Sequence, residues 1–357
     1  MELRTPLVLV TGATSAAGRR LVEGLIHGLP GQADLKPIPG LRVRCLALPG
    51  EDFAALRKIS DRVQILVGDL RPPANAARLC HEAKDAVLFH LALARDRSFV
   101  RQLRQINVEA TTGLLAAAAK AGVRRAVVLS DAAVCAGAST EKPLDEIAPA
   151  QPLTAWGRIL QQRETAVSAT KELETVILRC APLIAAAVNG RRPLWFSLAL
   201  AGQLPIHPPS EARLSLASPA VVAQACLRTA ILRQAAGQVY WIAEESPCEL
   251  AALCQTVRQL AEKESPALLA GGQPRQWAVP LKSRAAQLFG ALGLGCASGD
   301  EALVVVRPLV VSVAKAMGQL GLRSPGCLEE ALREVLLAGP PADAKVVQDK
   351  GEPPAEG

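Results

Sequence analysis

At 357 residues, half of them hydrophobic, the chain has room for a large α/β core with a smaller domain appended. Its four Trp, one Tyr and five Phe leave Ala, Leu and Val to fill that interior, as buried parallel sheets allow. The formal net charge of +7 does not define a nucleic-acid binder, because the arginines are scattered among acids with no interleaved aromatics to stack on bases.

Short aliphatic runs alternate with helical segments, the pattern of parallel βαβ units in a doubly wound sheet. The first strand is predicted at Leu7 to Val10. It runs straight into a glycine-bearing turn, so no signal peptide is expected. A helix is predicted at Arg19 to Ile26, and the Pro and Gly clusters between His27 and Gly40 predict an extended loop. Further strands are expected at Val43 to Leu46, Val63 to Val67, Ala86 to Phe89, Ala126 to Leu129 and Thr175 to Leu178. The alanine-rich stretch Val108 to Ala121 predicts a helix closed by Gly122, where a left-handed residue is favoured.

Beyond Ala181 the pattern loosens into a turn at Asn189 to Arg192, a short helix at Leu194 to Ala201 and a proline-bracketed connection at Pro205 to Pro209. The chain is expected to return to the sheet over residues 213–245, through a helix at Pro219 to Leu232 with proline at its first position and a strand at Val239 to Ile242. From Ser246 onward mostly helices are predicted, the last at Leu328 to Leu337; residues 339–357 are polar, charged and Pro-rich and are expected to be disordered. Arg307 and Lys315 interrupt the apolar run from Leu303 to Met317, so no membrane span is predicted. Nine cysteines form no CxxC pair and four histidines never fall at metal-ligand spacing. That usage predicts the cytoplasm or another reducing compartment, and no metal.

The strongest local pattern is the first strand running into Thr11-Gly12-Ala13-Thr14-Ser15-Ala16-Ala17-Gly18-Arg19. Such a turn sets backbone N–H groups and the positive end of a helix against a pyrophosphate. The middle glycine of the usual fingerprint is replaced by the small residues Ser15, Ala16 and Ala17, and an ordinary tight turn is the bland alternative. The strand before, the helix after and the βαβ series favour a cofactor cleft at the C-terminal ends of the strands.

At these residues the chain resembles the extended short-chain dehydrogenase/reductases, which include NAD-dependent epimerases and dehydratases and 3β-hydroxysteroid dehydrogenases. Thr11-Gly12-x5-Gly18 is similar to the nucleotide loop, Gly68-Asp69-Leu70 to the segment whose aspartate contacts adenine, and Asp85 to Ala92, with His90 and Leu91, to the fourth-strand signature. Asn107-Val-Glu-Ala-Thr111 resembles the family's helix start, and Leu178-Arg179-Cys-Ala-Pro182 its exit toward substrate. Two later segments, Gly237 to Ala243 and Gly321 to Ala331, resemble its late strand and C-terminal helix. The resemblance implies a Rossmann domain over residues 1–185 with 213–245, a smaller, mostly helical substrate-side domain over 186–212 and 246–338, and bound NADP or NAD. It implies cofactor contacts from Thr11, Gly12, Thr14, Ser15, Ala16, Ala17, Gly18, Arg19, Asp69, Leu70, Leu91, Ala92 and Asn107. Taken singly, Asp69 could equally cap a turn, His90 be a satisfied core histidine and Asn107 a helix cap.

The departures fall on the catalytic positions. The family uses a tyrosine as proton shuttle, a lysine four residues later that lowers the phenol's pKa, and a serine or threonine after the fifth strand. Pro152 to Glu164 matches the helix that carries the pair, with Trp156 at the tyrosine and Leu160 at the lysine. Ala132 falls most simply at the hydroxyl position, and a shift of one residue would put Asp131 there. An indole N–H donates a hydrogen bond but is not a general acid near neutral pH. Strand alternation turns Asp131 away from the face of positions 130 and 132 unless the strand has bent. Arg163 shares the helix face of Trp156, where it could restore a positive charge but not a proton shuttle; a solvated face is the expected role.

Leu48 stands where NAD-preferring members place an acid, and Arg19, Arg20 or Arg44 could approach a 2′-phosphate, which tilts the choice toward NADP; exposed helix arginines are the alternative. The expected function is that of a dinucleotide-binding sensor, scaffold or assembly subunit with a protein partner. The resemblance supplies precedents in nitrogen-metabolite regulators and a respiratory complex I accessory subunit. The competing expectation is an active oxidoreductase, epimerase or dehydratase using Asp131 or a bound water, and a third is a structural protein with an empty cleft.

Overall fold

Strand β1 (Leu7–Thr11) is buried along its whole length, because helices cover both faces of the sheet in which it lies. Its continuous apolar run is what a doubly covered parallel strand needs. A computed structural model describes residues 7–32, 34–95, 99–138, 142–186, 190–204, 212–269, 297–324, 326 and 328–338. Around β1 run β2 (Arg42–Ala47), β3 (Val63–Val67), β4 (Val87–His90), β5 (Arg125–Asp131), β6 (Glu174–Cys180) and, after a two-residue strand β7 (Arg213–Leu214), β8 (Val239–Ile242). Seven of them form one parallel sheet in the order β3-β2-β1-β4-β5-β6-β8. This is the doubly wound α/β architecture expected from the βαβ alternation.

Alternation along each strand sorts its side chains onto two cores. Val8 and Val10 of β1 pack on one face with Leu21, Val22 and Leu25 of α1 (Ala16–His27), joined further along by Val221 and Val222 of a later helix. Leu7 and Leu9 point to the other face, against Leu79 of α3 (Pro73–Leu79) and Leu114, Leu115 and Ala118 of α5 (Ala110–Lys120). Between α1 and α3 lies the short α2 (Ala54–Arg57), and α4 (Val100–Arg104) precedes α5.

The helix predicted over Val108 to Ala121 is interrupted at its start by a π turn, Gln105–Glu109, that joins α4 to α5. Asn107 explains the extra residue: its amide donates to the carbonyls of Ala94 and Leu103 and its Oδ1 accepts from Ala94 N–H. Gly122 closes α5 with φ of +74°, as expected for a left-handed terminus. Helix α1 begins three residues before the predicted Arg19, because Ser15 caps it by accepting from Gly18 N–H.

The return to the sheet is made by β8, beside β6, and α8 (Pro219–Ile231) is the helix that packs against α1. Residues 213–214 do not join it. They pair antiparallel with β9 (Cys248–Glu249) in a separate two-stranded sheet. A second core gathers Trp195, Phe196 and Leu198 of α7 (Leu194–Leu200) with Leu253 and Val257 of α9 (Leu250–Glu264) and Leu332 and Val335 of α12 (Leu328–Leu337). It also takes in Ala302 and Val305 of α10 (Ala297–Val306), while α11 (Ala314–Leu320) packs against β8. The connection Pro205 to Pro209, Asn189 at the start of the predicted turn and the tail 339–357 lie outside the described residues. Among the described residues no helix is long and apolar enough to cross a membrane.

Candidate functional site

Sheet order reverses at β1, whose neighbours β2 and β4 lead away in opposite directions. Such a switch point opens a crevice at the C-terminal strand ends. A cavity of about 780 Å³ lies there, bordered by Thr11, Gly12, Thr14, Ser15, Ala16 and Ala17 of the first turn and by Arg19. Two glycines make that turn. Gly12 has φ of +74°, and a Cβ on it would stand 2.6 Å from Ala92 N; the turn and the β4 exit touch backbone to backbone. A Cβ on Gly18 would stand 2.1 Å from the Gly12 carbonyl oxygen. Gly18 therefore closes the turn from below and is not among the residues bordering the cavity.

The β4 exit is tied to the turn by a buried chain of hydrogen bonds. Thr111 Oγ1 donates to the Asn107 carbonyl at 2.8 Å, so it accepts from His90 Nε2 at 2.9 Å, and His90 Nδ1 in turn accepts from Thr11 Oγ1 at 2.6 Å. Burial, with Arg163 nearby, holds the imidazole well below its usual pKa, which agrees with this neutral tautomer. His90 is a satisfied core histidine. Leu91 and Ala92 border the cavity directly, whereas Asn107 acts one layer back by fixing the backbone of Ala94. Asp69 and Leu70 border its other end, where the Asp69 carboxylate accepts from Arg71 N–H at 2.8 Å and from the Arg71 guanidinium at 2.8 and 2.6 Å.

Helix α6 (Ala155–Ala169) is capped by Thr154, whose Oγ1 accepts from Gly157 N–H. A Cβ on Gly157 would fall 2.4 Å from the Ala133 carbonyl oxygen. That close approach sets Trp156 against the β5 exit. The indole is 1% exposed, borders the cavity and finds no hydrogen-bond partner for its N–H among the described residues. The Arg95 guanidinium lies 5.1 Å from its ring centroid and pairs with Asp131 Oδ2 at 2.7 Å.

Asp131, the last residue of β5 and still paired with Cys180, borders the cavity and caps a 3-10 turn, Ala132–Cys135, by accepting from Ala133 N–H. Alternation does not keep it from the cleft, because the chain leaves the strand at the next residue and Ser130, Asp131 and Ala132 all border the cavity. Ala132 also borders the cavity, while Leu160 is buried in the core of the α1 face.

Arg163 is not on a solvated face. It is 1% exposed and donates through Nη1 to the Ala92 carbonyl at 3.0 Å. Seven residues beyond Trp156 it lies on the same helix face, and that face is the buried one. Behind it, Glu164 binds Arg179 at 2.7 Å and accepts from Ser130 Oγ at 2.6 Å, holding α6 to β5 and β6. Of the arginines considered for a 2′-phosphate, Arg44 donates to the carbonyls of Leu79 and His81 and Arg20 pairs with Glu23; neither is among the residues bordering the cavity. Arg95 and Glu51 were not singled out from the sequence. Arg95 had no local signal, whereas Glu51 follows the turn-forming pair Pro49-Gly50.

The fold and its glycine turn define an extended short-chain dehydrogenase/reductase. The chain belongs to the NAD-dependent epimerase/dehydratase family, whose model matches residues 8–206. It is 33% identical over 269 residues to y4nL, an uncharacterized protein of Sinorhizobium fredii, covering 74% of this chain and 75% of the other. Its fold is similar to that of UDP-glucose 4-epimerase from Thermotoga maritima, solved with UDP-glucose, with a TM-score of 0.65 at 17% identity over 92% of this chain and 97% of the other. It is also similar to a short-chain dehydrogenase/reductase superfamily protein from Agrobacterium tumefaciens with bound NAD, with a TM-score of 0.60 at 18% identity over 93% and 96% of the two chains.

Proposed function

We propose that the protein binds a dinucleotide in this cleft and, lacking the family's tyrosine proton shuttle, works as a sensor, scaffold or assembly subunit with a protein partner. The residues fit the group, since Gly12 lets the turn pack on the Ala92 backbone and Gly18 lets it close on its own carbonyl, which leaves Thr11, Gly12 and Thr14 to Ala17 along the cavity. Bound there, a nicotinamide supplies a hydride acceptor or donor. Cofactor contacts then come from Thr11, Gly12 and Thr14 to Ala17, with Leu91 and Ala92 on the facing wall. Residues 1–185 with 213–245 hold the cofactor, and 186–212 with 246–338 form the substrate side; the separate apolar core around Trp195, Val257 and Leu332 supports this division in the main, while Ile184, Leu214 and Leu216 also join that core and Leu309 to Leu322 pack with the sheet.

The observation that carries the reading is the Trp156 indole at the cavity wall under the Arg95 guanidinium. An indole with a cation stacked on it can pack and donate but cannot exchange a proton with substrate. A positioned acid/base typically contributes on the order of 10² to 10⁴ in rate, so turnover of NADH or NADPH with carbonyl substrates should fall to background. Calorimetry with NAD and NADP, followed by cofactor oxidation or reduction across alcohols, sugars and sterols, tests both halves. Slow activity gained by Trp156→Tyr with Leu160→Lys supports the reading.

One observation favours a second reading: the Asp131 carboxylate borders the same cavity beside Arg95. An active oxidoreductase, epimerase or dehydratase would use it as the acid/base. Robust wild-type turnover that survives Trp156→Phe and disappears in Asp131→Asn would establish that reading and refute the first.

A further inference from the structure

Strand β4 ends at His90, the last of its residues to pair with β1 and with β5. The chain beyond it, Leu91 to Arg95, borders the cavity without belonging to a strand, so no ladder satisfies its backbone groups. Each tie is made singly from elsewhere in the fold. Leu91 N–H donates to the Thr11 carbonyl at 3.0 Å, Asn107 holds both backbone groups of Ala94, and the Ala92 carbonyl accepts from Arg163 Nη1 at 3.0 Å.

The third tie is made by a buried charge. Arg163 is 1% exposed, is not among the residues bordering the cavity, and leaves Nε and Nη2 without a hydrogen-bond partner among the described residues. Glu164, next in sequence, is engaged with Arg179 and Ser130. A buried guanidinium that makes one hydrogen bond destabilises a fold relative to an apolar side chain of similar size, so stability does not account for it. What it holds does. The three atoms nearest to a Cβ built on Gly12 are Ala92 N, Leu91 C and Ala92 Cα, at 2.6, 2.8 and 2.9 Å, so the glycine turn rests on the Leu91–Ala92 peptide. Holding the adjoining Ala92 carbonyl from behind fixes the facing wall and the turn together.

We infer that Arg163 is a positioning residue for the dinucleotide, holding from behind the cleft the stretch of β4 exit on which the Gly12 turn packs. The inference rests on the reading of the cleft as a dinucleotide site. Without the bond from Arg163, the β4 exit has to be ordered when ligand binds, and the cost of that ordering is subtracted from affinity. A destabilising group is kept where binding depends on fixed geometry.

The test is calorimetric titration of the full chain with NAD, alongside urea denaturation of the same variants. Arg163→Met removes both donor and charge. It binds NAD about tenfold or more weakly than wild type, the range expected for the loss of one charge-assisted hydrogen bond, while its stability is unchanged or higher. Arg163→Lys keeps a cationic donor on a side chain one bond shorter and recovers the affinity to within a few fold. Should Arg163→Met not fold, Arg163→Gln gives the same affinity readout, because its amide ends two bonds short of the guanidinium Nη atoms. Three results overturn the inference and leave the dinucleotide reading intact: a donor-less variant that binds NAD within about twofold of wild type, a loss of affinity that lysine does not recover, or a folded Arg163→Met that loses stability together with affinity. Wild type that binds neither NAD nor NADP overturns both.

Discussion

Replacing Arg163 with methionine should make the protein more stable. The guanidinium is 1% exposed, and its Nε and Nη2 find no hydrogen-bond partner among the described residues. Burial, opposed in part by Glu164, pushes its pKa well down, to about 9, a net displacement worth roughly 5 kcal/mol. Against that, the variant loses the Nη1 bond to the Ala92 carbonyl, worth about 1 to 3 kcal/mol where the acceptor stays buried. Methionine fills a similar length of space, so the net expectation is a gain of about 1 to 4 kcal/mol, the range found when buried charges give way to apolar side chains. The gain also depends on pH. A base whose pKa is lowered by folding costs stability while it is charged, and that cost is relieved as pH rises through about 9 toward the higher unfolded value. The difference between variant and wild type is therefore full at neutral pH and narrows above about pH 9. Urea denaturation of both proteins at neutral pH and at a pH about one unit above that folded value measures it. A variant less stable than wild type at neutral pH would refute the reasoning, because it would mean that the guanidinium contributes more than its desolvation costs.

Gly12→Val should abolish dinucleotide binding and destabilise the fold by roughly 2 to 5 kcal/mol, since it combines a left-handed backbone with a Cβ 2.6 Å from Ala92 N; calorimetry and denaturation read the two effects. Glu164→Gln leaves Arg179 buried without its counter-charge and should cost about 3 to 5 kcal/mol in chemical denaturation. Ser218→Ala removes the hydroxyl that accepts from Val221 N–H at the start of α8, and should cost about 1 kcal/mol. Truncation after Gly339 should leave the thermal midpoint nearly unchanged, because the residues removed offer little apolar surface to bury; a drop of several degrees would show that the tail docks on the body.

The sequence by itself determined the sheet, because continuous aliphatic runs such as Leu7 to Val10 have few stable places other than a doubly covered parallel sheet. It also determined the glycine turn, since Gly18 is demanded by the Gly12 carbonyl within the turn and Gly12 by its left-handed backbone, although the Ala92 backbone that Gly12 meets comes from the β4 exit. What lay beyond it were the relations made across the fold. A seven-residue spacing placed Arg163 on the face of Trp156, but only the packing of α6 onto the sheet decided that this face is buried. Alternation along β5 turned Asp131 away from the cleft; the strand's end at that residue and the capping of the next turn brought it back. Arg95 meets Asp131 across a separation of 36 residues and Trp156 across a longer one, and no local pattern encodes such a meeting. Glu51 falls between the two cases: Pro49-Gly50 announces a turn in the sequence, but that the turn returns the carboxylate to Thr14 was decided by the pairing of β1 with β2. Local propensity is set by neighbours in sequence, whereas the chemistry of this cleft is set by which strand ends the sheet brings together.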